Sequence, residues 1–251
     1  MASSSGLGKA SAEALAREGA HVVINGRNEE RLQEATADLE DVGDGRVVPV
    51  QGDLTEEDDI QRLVETTVDE FGHLDHLVTN AGGPPSGRFL DTTDEDWYHA
   101  FDLLVMSVVH LVREAADPLR EDGSGTIVNI TSRSVNEAID GLVLSNSVRM
   151  SVIGPEKTIS KEMGPEIRAN AVLPAPHEAS RQQELIEAGV ERGDYESYEV
   201  GLEQRSEGIP LGRMGDLIEL GDVVAFLSSP RSSYLSDVSI PIDGGGGASN
   251  L

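Results

Sequence analysis

The residues best suited to chemistry stand just after short apolar runs. Gly6 and Gly8 open a helical stretch. Small residues there let backbone N–H groups approach a pyrophosphate, and the positive end of the helix dipole favours the anion. A glycine-rich helix start can also serve packing alone. Arg27 follows the apolar run 20–25, where the adenosine ribose of a dinucleotide would lie. An acid at that place suits a free 2′-hydroxyl, whereas an arginine suits a 2′-phosphate. The plain alternative is a solvated loop charge. Asp53 and Leu54 follow the run 46–51; the carboxylate can accept from an adenine amino group or cap the next helix. Asn80, Ala81, Gly82 and Gly83 follow the run 74–79. Open α/β sheets bind ligands at such strand C-termini, and the joint pattern points to a dinucleotide crevice. His73 and His76 are three apart but bracket a loop-to-strand junction with no third ligand, which argues against a metal.

Positioning those residues requires alternating strands and helices. Strands are expected at 20–25, 46–51, 74–79, 125–131, 167–173 and 237–242, all short and rich in Val and Ile. Apolar residues at successive positions are the mark of buried parallel strands. Helices are expected at 6–18, 28–41, 56–71, 94–119, 146–163, in a polar region near 179–206, and at 216–228. Asn28 is a good N-cap, and acids crowd the first turn after Thr55. This alternation predicts a doubly wound parallel α/β sheet, Rossmann-like, as one domain over 1–251. The polar segment at about 181–208 is expected to be a lid inserted in that domain. One element is missing: the turn MASSSGLG enters a helix with at most Met1–Ala2 as the end of a strand. That strand belongs at the sheet centre beside 20–25, since its loss exposes both neighbours. The expectation is a truncated start, with about eight apolar residues preceding Met1.

Composition narrows the setting. There are 46 Asp+Glu against 19 Lys+Arg, a net charge of −27, and no cysteine. Disulfides, thiolate nucleophiles and Cys-ligated metals are excluded. No basic cluster suits nucleic acid, and no apolar run is long enough for a membrane span. A cytoplasmic protein is expected. Lys9, Lys157 and Lys161 are the only lysines, against 16 arginines. High acid with scarce lysine suits a halophilic cell, where molar salt screens carboxylate repulsion over roughly 3 Å.

The chain resembles the short-chain dehydrogenase/reductase family over about residues 1–247. The resemblance rests on ASSSGLG at 2–8, GDL at 52–54, NAGG at 80–83, IVNITS at 127–132 and KTISKEMG at 157–164. The C-terminal motifs are the most specific: PLGRMGD at 210–216, VVAFLSS at 223–229 and YLSDVSIPIDGG at 234–245. Within the family it looks most like the 3-oxoacyl-acyl-carrier-protein reductase-like branch. The resemblance implies an NAD(P)-dependent oxidoreductase acting on a small carbonyl or alcohol. Arg27 favours NADP(H) over NAD(H). It assigns cofactor contacts to Ser3, Ser5, Gly6, Leu7, Gly8, Arg27, Asp53, Leu54, Asn80, Ala81, Gly82, Thr131, Arg149 and Pro174. It also implies a homodimer or homotetramer joined through the helices near 94–119 and 144–163.

The catalytic pattern departs from the family. There, a Tyr exchanges the substrate proton, a Lys four residues later lowers its pKa, a Ser holds the carbonyl and an Asn supports a water relay. The corresponding positions are Ser145, Arg149, Ser132 and Leu104, so only Ser132 matches. Ser145 cannot replace a phenol as an acid, and Arg149 keeps its charge without titrating. Ala2, Ala175 and Ala179 replace a Gly, a Gly and a Thr of the family, and Pro155 stands inside the helix carrying Arg149. Substitute acids are His177 and Glu178 after strand 167–173, or Tyr195 and Tyr198 on the lid. Trp97 is expected to be a packing anchor. The sequence supports three readings: an oxidoreductase with an atypical proton donor, a non-catalytic dinucleotide-binding or partner subunit, and a decayed relative that folds poorly.

Overall fold

Each of the six expected strands forms, with ends shifted by up to two residues. In the computed structural model, which describes residues 1–175, 177 and 180–249, β1 (Val22–Gly26) and β2 (Val47–Gln51) pair in parallel. A second parallel sheet runs β3 (His76–Thr79), β4 (Gly125–Ile130), β5 (Ile167–Pro174) and β6 (Ser239–Ile242), in that order. The single continuous sheet expected from the alternation is therefore divided in two. β1 and β3 face each other without pairing, and a cavity of about 1090 Å3 lies between them. At one end of that gap Met1 donates to the Val78 carbonyl of β3 at 3.2 Å and the Ser3 N–H to the Asn25 carbonyl of β1 at 2.8 Å.

Helices cover both faces. On one side α1 (Gly6–Arg17) packs on α10 (Leu217–Ser228). Their approach is so close that a Cβ on Gly221 would lie 2.4 Å from the Ala10 carbonyl oxygen. On the other, α3 (Glu57–Phe71) packs on α5 (Ser107–Arg120). Every residue of β4 is buried. Ile127 joins Leu63, Leu111 and Leu119 on one face, and Val128 and Ile130 join Leu220, Val224 and Leu227 on the other. Between β1 and β2, α2 (Glu29–Glu40) begins with the Asn28 side chain accepting from the Arg31 N–H at 2.9 Å, the cap expected from its residue type.

Three expected helices are interrupted. The stretch 94–119 is α4 (Asp94–Phe101), a π-helical turn at Asp102–Met106, then α5. The stretch 146–163 is α6 (Val143–Val148) and α7 (Met150–Glu162), meeting at Arg149. Pro155 lies inside α7, where it can donate no backbone hydrogen bond to the preceding turn. The polar region resolves into α8 (Ser180–Glu191) and α9 (Tyr198–Glu207). Glu178 and Ala179, two residues singled out above, lie outside the described residues.

Candidate active site

The glycine turn sits at the C-terminal rim of the strands. Gly6 begins α1 with φ +56°, and a side chain there would meet nothing within 4 Å. Ser5 precedes it as an N-cap whose side chain bonds no helix N–H, and no acid occupies the first turn. That is an open helix N-terminus of the kind that receives an anion. Ser3 instead is buried and ties the turn to β1: its N–H donates to the Asn25 carbonyl at 2.8 Å and its Oγ accepts from the Asn25 N–H at 2.9 Å. Leu7 packs beside Val128, Val172 and Leu220. Gly8 has a packing reason of its own, since a Cβ would fall 2.3 Å from the Ala2 carbonyl oxygen and 2.8 Å from Asn80 Nδ2.

Arg27 is well exposed, with a guanidinium nitrogen 3.7 Å from an Asp53 carboxylate oxygen. Asp53 does not cap α3, because Glu56 occupies that position. Its Oδ1 accepts from the Thr55 N–H and Oγ1 at 3.0 and 2.9 Å. Partial burial pushes the Asp53 carboxyl up, but the Thr55 bonds and the Arg27 charge outweigh it and hold the group below its ordinary value. Leu54 points into the core beside Val50 and Ile60. A ligand contact at that position would fall to its backbone. Asn80 Nδ2 reaches the Met1 and Ala2 carbonyls, both at 3.4 Å. Ala81 packs against the α4–α6 cluster, and Gly82 borders open space.

At the end of β4 the hydroxyls gather. Ser132 Oγ accepts from the Ser134 N–H at 3.1 Å, capping a short 3-10 turn. Ser134 Oγ lies 3.1 Å from Ser145 Oγ, and both residues are buried. Arg149 donates from Nη1 to the Thr131 carbonyl at 3.1 Å. Thr131 and Pro174 are buried at the ends of neighbouring strands, with Thr131 donating to the Val172 carbonyl through both its N–H (3.0 Å) and Oγ1 (3.2 Å). Ser132, Ser145, Arg149 and Thr131 thus come together, with Ser134 as a member that sequence reasoning missed. Leu104 is buried in the π-helical turn among Ala100, Leu144 and Val148.

Two of the residues expected as proton sources make contacts of their own. His177 is buried, its Nδ1 2.8 Å from the Ala175 carbonyl oxygen and its ring against Gly215. Tyr195 does not swing free: its ring packs on Gly189 and Gly201, and its hydroxyl accepts from Arg205 Nε at 3.2 Å. It pins α8 to α9. His73 pairs with Asp75 and His76 bonds Thr126, and no metal-ligating cluster occurs among the described residues. Trp97 packs into the Leu104 cluster and donates from its indole to Thr92 Oγ1 at 3.1 Å, consistent with an anchor.

A buried polar chain also escaped the sequence reading. Thr79 Oγ1 donates to Asn129 Oδ1 at 2.6 Å, and Asn129 Nδ2 donates to Glu156 Oε2 at 3.4 Å. Burial pushes the Glu156 carboxyl up to about 7, with the Asp237 charge adding to the effect. The spacing held a signal: Glu156 is four residues from Val152, on the buried face of α7.

Comparison with known proteins agrees with this geometry. The family model described as enoyl-(acyl carrier protein) reductase matches residues 1–246. The 3-oxoacyl-acyl-carrier-protein reductase FabG of Thermotoga maritima is 32% identical over 242 residues, covering 96% of this chain and 93% of the relative. L-sorbose reductase from Gluconobacter frateurii, solved with NADPH and L-sorbose, superposes with a TM-score of 0.91 at 28% identity, covering 98% and 94%. An NAD+-bound xylitol dehydrogenase gives 0.90 at 25%, covering 97% and 95%. The shared fold binds a nicotinamide dinucleotide, and the open helix N-terminus at Gly6 and the open space at Gly82 leave room for one here. No helix among the described residues is long and apolar enough to cross a membrane. With matching motifs, topology and rim, the chain belongs to the short-chain dehydrogenase/reductase family of oxidoreductases.

Proposed function

We propose that the chain moves hydride between NADP(H) and a small carbonyl or alcohol, with water in place of a phenol as the proton source. The observation that carries this is the group Ser132, Ser134 and Ser145, in which the Ser134 N–H donates to Ser132 Oγ and the Ser134 hydroxyl meets Ser145 Oγ, flanked by Arg149 on the same strand rim as the Gly6 turn. The bound nicotinamide supplies the hydride in reduction and accepts it in oxidation. The N–H groups after Gly6 hold the diphosphate, with Ser5 and Leu7 shaping the turn. Arg27 takes the 2′-phosphate and Asp53 the adenine amino group.

Ser132 accepts from Ser134, which leaves its own proton to donate to a carbonyl oxygen. Arg149 holds ribose hydroxyls and keeps positive charge beside that oxygen, but a guanidinium does not release a proton near neutrality. Reduction of the carbonyl consumes one hydride and one proton, and the proton enters from water at the Ser132–Ser145 cluster. The helices α8 and α9, held together by Tyr195, form the lid over the substrate. Exposed apolar Phe101 at the end of α4 and Met150 at the start of α7 support a homodimer or homotetramer. The acid excess supports a working environment of molar salt.

One observation favours a second reading, a dinucleotide-binding protein without turnover: the Ser145 hydroxyl is buried and engaged with Ser134. NADPH consumption against a broad carbonyl panel in molar KCl decides between them. The first reading expects turnover that Ser145→Tyr with Arg149→Lys raises by about 10²–10⁴-fold. Saturable NADPH binding with no turnover on any carbonyl would establish the second.

A further inference from the structure

A small cavity of about 280 Å3 lies between the turn that follows β4 and the glycine run that follows β6. Arg133, Asn136 and Glu137 form one wall, and Pro241, Asp243 and Gly247 the other. The glycines set its shape. Gly244 and Gly245 turn the chain with φ +61° and +82°, which brings the next residues back over Asp243. Its Oδ1 accepts from the Gly245 N–H and its Oδ2 from the Gly247 N–H, both at 2.9 Å. Glu137 Oε2 accepts from the Ala248 N–H at 2.9 Å. A Cβ on Gly246 would lie 3.1 Å from Arg133 Nη1, so the guanidinium rests against bare backbone there.

Arg133 is left short of partners. Its side chain is only 19% exposed. Nε is buried and 2.9 Å from Glu137 Oε1, an ion pair without hydrogen-bond alignment. Nη1 and Nη2 have no acceptor among the described residues. A guanidinium presents its N–H donors as a planar fork, and one so far withdrawn from water is ordinarily bonded along its edges. The free Nη1–Nη2 edge matches the paired oxygens of a carboxylate.

Charge and size narrow the guest. Glu137 and Asp243 do not take the fork themselves: three of their four oxygens accept backbone N–H groups, and the fourth faces Nε. Together with Arg133 they give the walls a net charge of −1. Such walls tolerate a singly charged guest on the fork and disfavour a doubly charged one such as phosphate. The volume is just under the roughly 300 Å3 at which pockets for larger ligands begin, so the guest is small.

We propose that this cavity is a binding site for a small monocarboxylate, held by the Nη1–Nη2 edge of Arg133. The inference stands apart from the proposed activity, and its test needs no cofactor.

Propionate and its neutral counterpart propionamide are titrated onto the full chain in 2 M KCl, with binding read by saturation-transfer NMR. Propionate should bind saturably, and propionamide at least about tenfold more weakly. Inorganic phosphate should displace propionate only at concentrations at least about tenfold higher than a second monocarboxylate, acetate, requires. Arg133→Gln should weaken propionate binding by at least about tenfold, with its melting curve showing that it folds. Arg133→Lys, which keeps the charge but not the planar fork, should weaken it too, and the propionamide comparison needs no variant. No saturable propionate binding, equal binding by propionamide, or unchanged affinity in a folded Arg133→Gln protein would overturn the proposal. Phosphate competing as well as acetate would overturn the monocarboxylate assignment.

Discussion

Replacing Glu156 with Gln should stabilise the protein at alkaline pH and leave it nearly unchanged in mild acid. The carboxyl is 1% exposed, packed between α7 and β4 with Asn129 Nδ2 donating to it. Burial moves its pKa from the ordinary 4.5 to about 7. A carboxyl whose pKa is raised on folding favours the folded state fully below 4.5, and that advantage is lost as pH climbs to about 7. Above that, the folded state carries an ionised buried group at a cost of ~3 kcal/mol, from about 1.36 kcal/mol per pH unit of pKa change. Gln has nearly the same shape, keeps an oxygen for Asn129 and carries no charge. At pH 8 the variant should therefore melt roughly 6–12 °C higher than the parent, taking 2–4 °C per kcal/mol for a chain of this size. At pH 4.5 the two should melt within about 2 °C of each other. The assay is thermal unfolding followed by circular dichroism across pH 4.5–8.5 in 2 M KCl. A Tm difference that is flat with pH, or a variant less stable at pH 8, would refute the assignment of burial as the cause.

The same geometry fixes other outcomes. Arg27→Ala should weaken NADPH binding by at least about tenfold while leaving NADH binding within about twofold, as a 2′-phosphate contact requires. Its melting temperature should hardly move, because the exposed Arg27–Asp53 pair is worth at most about 1 kcal/mol. Raising KCl from 0.1 to 2 M should increase Tm substantially, as screening shortens from about 10 Å to below 3 Å. An ordinary acidic protein would show a small effect, so a Tm flat with salt would count against the molar-salt setting. Gly201→Val should loosen the lid helices, since its added Cβ alone falls 2.7 Å from Ile186 Cγ2 and 3.0 Å from the Tyr195 ring. Faster proteolysis within 180–208, with the sheet core intact, is the expected readout.

The strands were legible because Val and Ile concentrate where both faces are buried, as in Thr126–Ile130. The break at Asp102–Met106 was not, because Leu103, Leu104 and Val105 continue an apolar pattern that any helical winding would satisfy. At the site, the rim positions were readable from the polar and glycine residues just past each strand's C-terminal end, yet the job of a given side chain was less so. Gly8 reads as a phosphate glycine but is already required by the Ala2 carbonyl, and Asp53 reads as a cap but forms a turn with Thr55. Tyr195 looks like a spare acid until the glycines that receive its ring are seen from the other helix. Such contacts between residues distant in the chain leave little local signature.

The most direct test of the account is an NADPH fluorescence titration in 2 M KCl on the parent and on Gly6→Val, which places a branched side chain over the open helix N-terminus. The account predicts saturable binding by the parent and at least a tenfold loss in the variant. The variant's Tm should fall by only a few degrees, because a side chain at φ +56° costs about 1–2 kcal/mol. No saturable binding by the parent, or equal binding by the two proteins, would contradict a dinucleotide seated on this rim.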